Sequence, residues 1–145
     1  MLQITSIKNG VVIDHIQPGQ GYRIFKFLNL HHSDFKAALI MNVDSQLMGK
    51  KDLIKIENHL DIDLDILGLF SDRITVNLIE NEQLISKQEI VLPQHVEGVL
   101  ACHNPRCISN HERYITTRFT LENAKTRLYR CDYCDHYYEG KMIKS

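Results

Sequence analysis

The sequence predicts an α+β chain of two domains: a first domain of strands interrupted by two helices, then a small β-rich one built on four cysteines. Three observations predict it. Strand-like runs alternate with two helical runs up to Pro93, and all four cysteines fall in the last third of the chain. The charge balance also changes: residues 1–98 hold 9 Lys/Arg against 13 Asp/Glu, whereas 99–145 hold 8 against 5. Leu92-Pro93-Gln94-His95-Val96-Glu97-Gly98 carries the breakers expected of a connector, which divides the chain into domains 1–94 and 95–145.

Within the first domain, Leu2 to Ile7 and Val11 to Ile16 read as strands around Lys8-Asn9-Gly10, and Asn-Gly between β-rich runs signals a hairpin. After Pro18 and Gly19, the residues Tyr22, Phe25 and Leu28, with Ile24 and Phe27 beside them, follow helical spacing. Phe35 to Val43 and Asp52 to Glu57 form two strands around a turn ending in Met48-Gly49. Asp63 then caps a second helix through Leu64, Leu67 and Phe70. Ile74 to Ile79 and Leu84 to Val91 close the domain as strands. The order ββαββαββ contains βαββαβ, the ferredoxin-like arrangement, in which helices cover one sheet face and leave the other for binding or pairing.

A chain of 145 residues, 43% hydrophobic and 24% charged, is a folded protein too short for a barrel enzyme. Its formal charge of −1 gives it no global basic field for nucleic acid or an anionic membrane. No apolar run approaches the roughly 18 to 20 residues that span a bilayer, and MLQITSIKNG lacks the pattern of a secretory leader, so a cytoplasmic protein is expected.

The cysteines follow the pattern Cys102-x4-Cys107, 23 intervening residues, then Cys131-x2-Cys134. Each close pair supplies one side of a tetrahedron, and the segment between them returns the chain, as one structural Zn²⁺ per chain requires. Two disulfides, four buried thiols or an iron–sulfur cluster are the alternatives, and a cytosolic setting disfavours disulfides. Four thiolates leave no position for an activated water, so the zinc is read as structural rather than catalytic. His103, His111 and His136 are read as neighbours of the site, and Arg106 and Arg130 as offsets to its charge of −2. A domain of this size depends on its metal, with Tyr114, Phe119, Leu128 and Tyr129 as its small core.

In Lys50-Lys51-Asp52-Leu53-Ile54-Lys55-Ile56-Glu57, the strand period puts Lys51, Leu53 and Lys55 on one face and Asp52, Ile54 and Ile56 on the core face. Lys51, Lys55 and Lys87 are candidate polyphosphate donors, although a solvated charged face is the commoner meaning of such lysines. Asp14-His15 at a strand end is equally ambiguous. Phe35 to Val43, apolar on both faces, is either an edge strand pairing with a second copy of the chain or a central strand buried under the helices.

The runs Gly10-Val11-Val12-Ile13-Asp14-His15-Ile16, Met48-Gly49-Lys50-Lys51-Asp52-Leu53-Ile54-Lys55-Ile56-Glu57-Asn58, Thr75-Val76-Asn77 and Cys102-x4-Cys107-Ile108-Ser109 with Cys131-x2-Cys134 resemble, in order, the regulatory chains of aspartate carbamoyltransferase. The resemblance implies a non-catalytic allosteric subunit of pyrimidine biosynthesis. Its first domain would bind CTP, ATP and UTP, and its zinc domain would dock on the catalytic chain. By position it assigns nucleotide contacts to Asp14, His15, Lys51, Lys55 and Lys87, with Ile7, Asn77 and Ile79 along base and ribose. It assigns zinc to Cys102, Cys107, Cys131 and Cys134, and implies a regulatory-chain homodimer with neither nucleic acid nor membrane as partner. Glu82 departs from it, standing where a tyrosine is familiar. The competing reading is a zinc-ribbon protein that binds nucleic acid. A stand-alone enzyme ranks third, because no nucleophile with a base stands out.

Overall fold

The structure, a computed structural model, describes residues 8–32, 34, 36–58 and 65–139. The chain divides into two compact units, Met1–Ile90 and Val91–Ser145.

The first unit is a five-stranded antiparallel sheet. In chain order it contains β1 (Gly10–Ile16), helix α1 (Gln20–Phe27), β2 (Ala37–Ser45), β3 (Gly49–Glu57), β4 (Thr75–Glu80) and β5 (Gln83–Glu89). The spatial order is β2-β3-β1-β4-β5, so the first four strands in space follow the ferredoxin-like order and β5 extends one edge. Among the described residues β2 lies at the other edge, not at the centre of the sheet. Registers place Ala37, Ile56, Val11 and Leu78 in one row and Leu39, Ile54, Ile13 and Val76 in the next. Val11, Ile13, Ile54, Ile56 and Val76 are buried together with Ile24 of α1, Leu67, Leu69 and Phe70, and this is the core.

α1 begins without a capping side chain of its own; Gly19 stands at its N-cap in the left-handed region, φ 93°. The cap comes instead from Asp52 of β3. Asp52 Oδ2 accepts the N–H groups of Gly19 at 3.0 Å and Gly21 at 3.1 Å, and Oδ1 accepts that of Asn42 at 3.0 Å. Those first N–H groups have no partner within the helix, and a carboxylate at its positive end satisfies them. Asn42, at φ 60°, sits in the irregularity between Ile40 and Val43 of β2. One buried side chain therefore ties β3 to the helix and to the edge strand.

Two predicted elements differ. The run Leu67 to Phe70 forms a 3-10 turn, Asp65–Leu69, closed by the Phe70 N–H on Leu67 O at 3.1 Å, rather than an α-helix. The apolar spacing of three on which the helix was predicted is the period of a 3-10 turn. Asp63 and Leu64 lie outside the described residues. The Asn9-Gly10 hairpin is also not formed by β1, because β3 and β4 occupy both its edges from Gly10 onward. Asn9 closes that end of the sheet, its carbonyl accepting the Asn58 N–H at 2.8 Å and its Oδ1 the Asn81 N–H at 3.1 Å. The strand predicted from Leu2 to Ile7 lies outside the described residues.

The second unit is a four-stranded antiparallel sheet in sequence order, β6 (His95–Glu97), β7 (Arg118–Asn123), β8 (Leu128–Cys131) and β9 (Tyr137–Glu139). Val96, Val99, Leu100, Phe119 and Tyr129 are buried with Cys102, Cys107 and Cys131. Tyr129 hands its hydroxyl proton to the Pro93 carbonyl at 2.7 Å, which lets a polar ring be buried without loss of a hydrogen bond. Tyr114, predicted in this core, is 82% exposed: it follows the loop's 3-10 turn and lies off the sheet.

Candidate functional site

The four cysteine sulfurs all lie within 4.8 Å of one another, with Cys102 to Cys134 at 3.5 Å and Cys107 to Cys131 at 3.7 Å. Metal–sulfur bonds of about 2.3 Å give a tetrahedron whose edges are about 3.8 Å, so the donor set fits one metal ion. The first pair comes from the loop between β6 and β7; of the second, Cys131 ends β8 and Cys134 lies in the turn after it. Asn110 fixes the loop through its side-chain amide, which donates to Cys102 O at 2.9 Å and Asn104 O at 2.7 Å.

Burial raises the Cys102 thiol and pushes that of Cys131 up to about 12. At Cys134 burial also raises, but the Asn104 side chain, the His136 N–H and the neighbouring thiols outweigh it and bring it down to about 6. A cluster of buried sulfurs in which one thiol is readily lost suits a thiolate-binding metal.

The histidines stand around the cluster, not in it. His103 and His136 pack their rings on Tyr138, at centroid distances of 5.4 and 6.3 Å, and His111 places Nε2 2.8 Å from the Pro105 carbonyl. Arg130 makes carboxylate pairs: its guanidinium donates to Glu122 at 2.7 Å and Asp135 at 2.9 Å.

The predicted nucleotide contacts collect on the sheet face opposite the core. Ala38, Lys55, Val12, Asn77 and Lys87 are direct register partners and form one row across all five strands. Gly10, Ile79 and Leu84 form the next row towards the β4–β5 turn, and Leu84 is exposed there. Among the described residues, Asn77 Oδ1 is a buried acceptor without a hydrogen-bond partner. Among the described residues, Lys55 and Lys87 have no ion pair, whereas Lys51 Nζ lies 2.9 Å from Asp14 Oδ1. Lys51 is thus a partnered ammonium and not the free point charge its sequence position suggested.

Asp14 and His15 occupy an irregularity of β1 between Ile13 and Ile16, with His15 at φ 58°. That extra residue turns both side chains out of the regular alternation. Asp14 Oδ1 also accepts the His15 N–H at 2.7 Å, and His15 Nδ1 lies 3.0 Å from Thr75 Oγ1. Beyond them, a polar cleft of about 420 Å³ is lined by Gln17, Pro18, Met48, Lys50, Asp72 and Arg73. None of the predicted contacts lines the cleft. Ile7 lies outside the described residues. Sequence reasoning missed the cap formed by Asp52 and the loop staple formed by Asn110, because their partners are set by the tertiary fold.

Among the described residues no helix is long and apolar enough to cross a membrane. The family description "Aspartate carbamoyltransferase regulatory chain, allosteric domain" matches residues 2–91, and "Aspartate carbamoyltransferase regulatory chain, metal binding domain" matches residues 94–144. The chain is 51% identical over 143 residues to an aspartate carbamoyltransferase regulatory chain of Clostridium botulinum, covering 99% of this chain and 98% of the relative. A regulatory chain of Clostridium tetani is 50% identical over 140 residues, covering 96% and 97%, and one of Bifidobacterium longum is 42% identical over 141 residues, covering 97% and 100%. With an allosteric and a metal-binding domain in the same order and full-length relatives at this identity, the chain belongs to the family of aspartate carbamoyltransferase regulatory chains.

Proposed function

We propose that the first unit binds the nucleoside triphosphates CTP, ATP and UTP on the face carrying Lys55, Asn77 and Lys87, and that the second unit docks on the catalytic chain of aspartate carbamoyltransferase. The observation that carries this reading is the row Lys55, Val12, Asn77, Lys87, which sets two cations without an ion pair among the described residues on either side of an acceptor likewise without a partner among them. A triphosphate carries about four negative charges, and lysines bind it as point charges with little geometric demand. Asn77 Oδ1 suits a ribose hydroxyl or base amino donor, and Ile79 with Leu84 supplies apolar surface for the base. Asp14, His15 and Lys51 complete the site at its other end, and Ile7 belongs to its base side.

The metal is zinc, one per chain, with Cys102, Cys107, Cys131 and Cys134 as ligands. Four thiolates satisfy it, so it holds the second domain together and takes no part in chemistry. The edge strand β2 pairs with its copy in a regulatory-chain homodimer, since it presents an unpaired ladder and a side chain, Met41, that is more than half exposed. The protein works in the cytoplasm and takes neither nucleic acid nor a membrane as partner. A nucleotide regulates catalysis only by binding one quaternary state more tightly than the other, and the zinc domain relays that preference.

The test is purification with the catalytic chain of the same organism, calorimetric titration with CTP, ATP, UTP and an oligonucleotide, and assay of carbamoyl transfer with and without each nucleotide. Saturable nucleotide binding that changes the catalytic rate supports the reading. Binding of the oligonucleotide alone, in a salt-dependent manner, replaces it with the nucleic-acid one.

A further inference from the structure

Once four thiols release their protons to a metal, the sulfurs can only accept hydrogen bonds, and the groups that donate to them govern how firmly they are held. Two hydroxyls stand beside them. Ser109 Oγ lies 3.1 Å from Cys107 Sγ, and the Tyr138 hydroxyl lies 3.6 Å from Cys102 Sγ.

Both hydroxyls are aimed by their surroundings. Ser109 sits in the 3-10 turn Ile108–Asn110, whose Asn110 N–H returns to the Cys107 carbonyl at 2.9 Å. The Tyr138 ring is flanked by His103 and His136 and packs edge-on against Phe119 at 6.1 Å. Arg130, beside Cys131 in the chain, is engaged by Glu122 and Asp135. Neutral donors act on the sulfur itself and so spread the cluster's charge locally.

We propose that Ser109 and Tyr138 are positioning residues of the metal centre, their hydroxyls donating to the Cys107 and Cys102 thiolates and slowing loss of the metal. The inference rests on the metal reading above and concerns residues that are not ligands. Each hydroxyl withdraws electron density from its sulfur and tethers it in place, so that the sulfur leaves the metal less readily.

The experiment uses the full chain with Ser109→Ala, Ser109→Thr and Tyr138→Phe. Zinc transfer to a chromogenic chelator is timed, and the sulfur-to-metal charge-transfer bands are recorded after substitution with Co²⁺. Ser109→Ala and Tyr138→Phe should each release zinc about 10 to 100 times faster and move the cobalt bands to lower energy, because the sulfur lone pairs are no longer stabilised. Ser109→Thr, which keeps the hydroxyl, should behave as the unmodified chain. Release rates and cobalt bands unchanged in both hydroxyl deletions overturn the proposal. If Ser109→Ala holds no metal at all, Tyr138→Phe, which alters no packing atom but the hydroxyl, decides alone. An unmodified chain that takes up no cobalt overturns the metal assignment itself, and this inference with it.

Discussion

Lys51 Nζ lies 2.9 Å from Asp14 Oδ1, and the two side chains are only 17% and 19% exposed. On the proposed reading, a triphosphate reaching this end of the face would meet an ammonium whose charge is already offset, while Lys55 and Lys87 have no ion pair among the described residues. The three lysines are not equivalent, although the sequence presents them as a set.

Replacing Lys55 by alanine should weaken CTP and ATP binding by about 1.5 to 3 kcal/mol, the range of a hydrogen bond to a charged group, or roughly tenfold to a hundredfold. Thermal stability should barely change, because the ammonium has no partner to orphan. Calorimetry and a melting curve on one preparation check both halves. Unchanged affinity for both nucleotides would reduce Lys55 to a solvated charge.

Lys51→Ala should do something different. It leaves the Asp14 carboxylate half-shielded and unpaired, so the first unit should lose about 1 to 3 kcal/mol of stability, between the values for exposed and buried pairs. A double-mutant cycle with Asp14→Asn measures the pair, and a coupling within about 0.3 kcal/mol of zero means the two residues act independently.

Asp52→Ala removes the acceptor of three N–H groups at once, two at the start of α1 and one in β2. A loss of about 3 kcal/mol or more is expected, since each orphaned donor costs and the replacement accepts nothing. Gly21→Ala strikes the same place, because its Cβ would meet Asp52 Cβ at 2.7 Å and Oδ2 at 2.8 Å. Denaturant titration with a probe in the first unit reads both variants.

Cys131→Ser, or removal of the metal by a chelator, should unfold the second unit and spare the first. Bound zinc should fall well below one ion per chain. Amide exchange, followed segment by segment, is the measurement. A variant whose residues 95–139 stay protected contradicts the dependence of this unit on its metal.

The metal centre was legible in the sequence because ligand spacing is a local property: two short chelating pairs and a returning segment suffice to bring Cys102, Cys107, Cys131 and Cys134 together. Strand alternation likewise told which side of β3 carries Lys55. It did not tell that Lys55, Asn77 and Lys87 share a row, since register between strands is a tertiary property. Asn9-Gly10 shows the same limit. The dipeptide is a turn signal wherever it occurs, yet Asn9 here takes the N–H of Asn81 from the end of the neighbouring strand β4, 72 residues along the chain. Asp52 was rightly placed on the core side, but nothing in an alternating strand announces that a buried carboxylate caps a helix more than thirty residues away. Nor does the place of Arg130 next to Cys131 announce its carboxylate partners, Glu122 across the hairpin and Asp135.

A regulatory dimer through β2 is tested by light scattering of the chain. A dimer at micromolar concentration is expected, and a strict monomer removes that interface.

The place of β1 between β3 and β4 sets the order in which the first unit can form. Val12 pairs with Lys55 on one side and with Asn77 on the other, partners 43 and 65 residues further along. A chain emerging from the ribosome therefore holds its central strand unpaired on both edges until β3 and then β4 have been made, and two large loops must close before the sheet repays their entropy. The nascent strand Gly10–Ile16, rich in valine and isoleucine, is exposed through that interval, which makes it the segment for a chaperone to shield and the first place where crowded chains would associate.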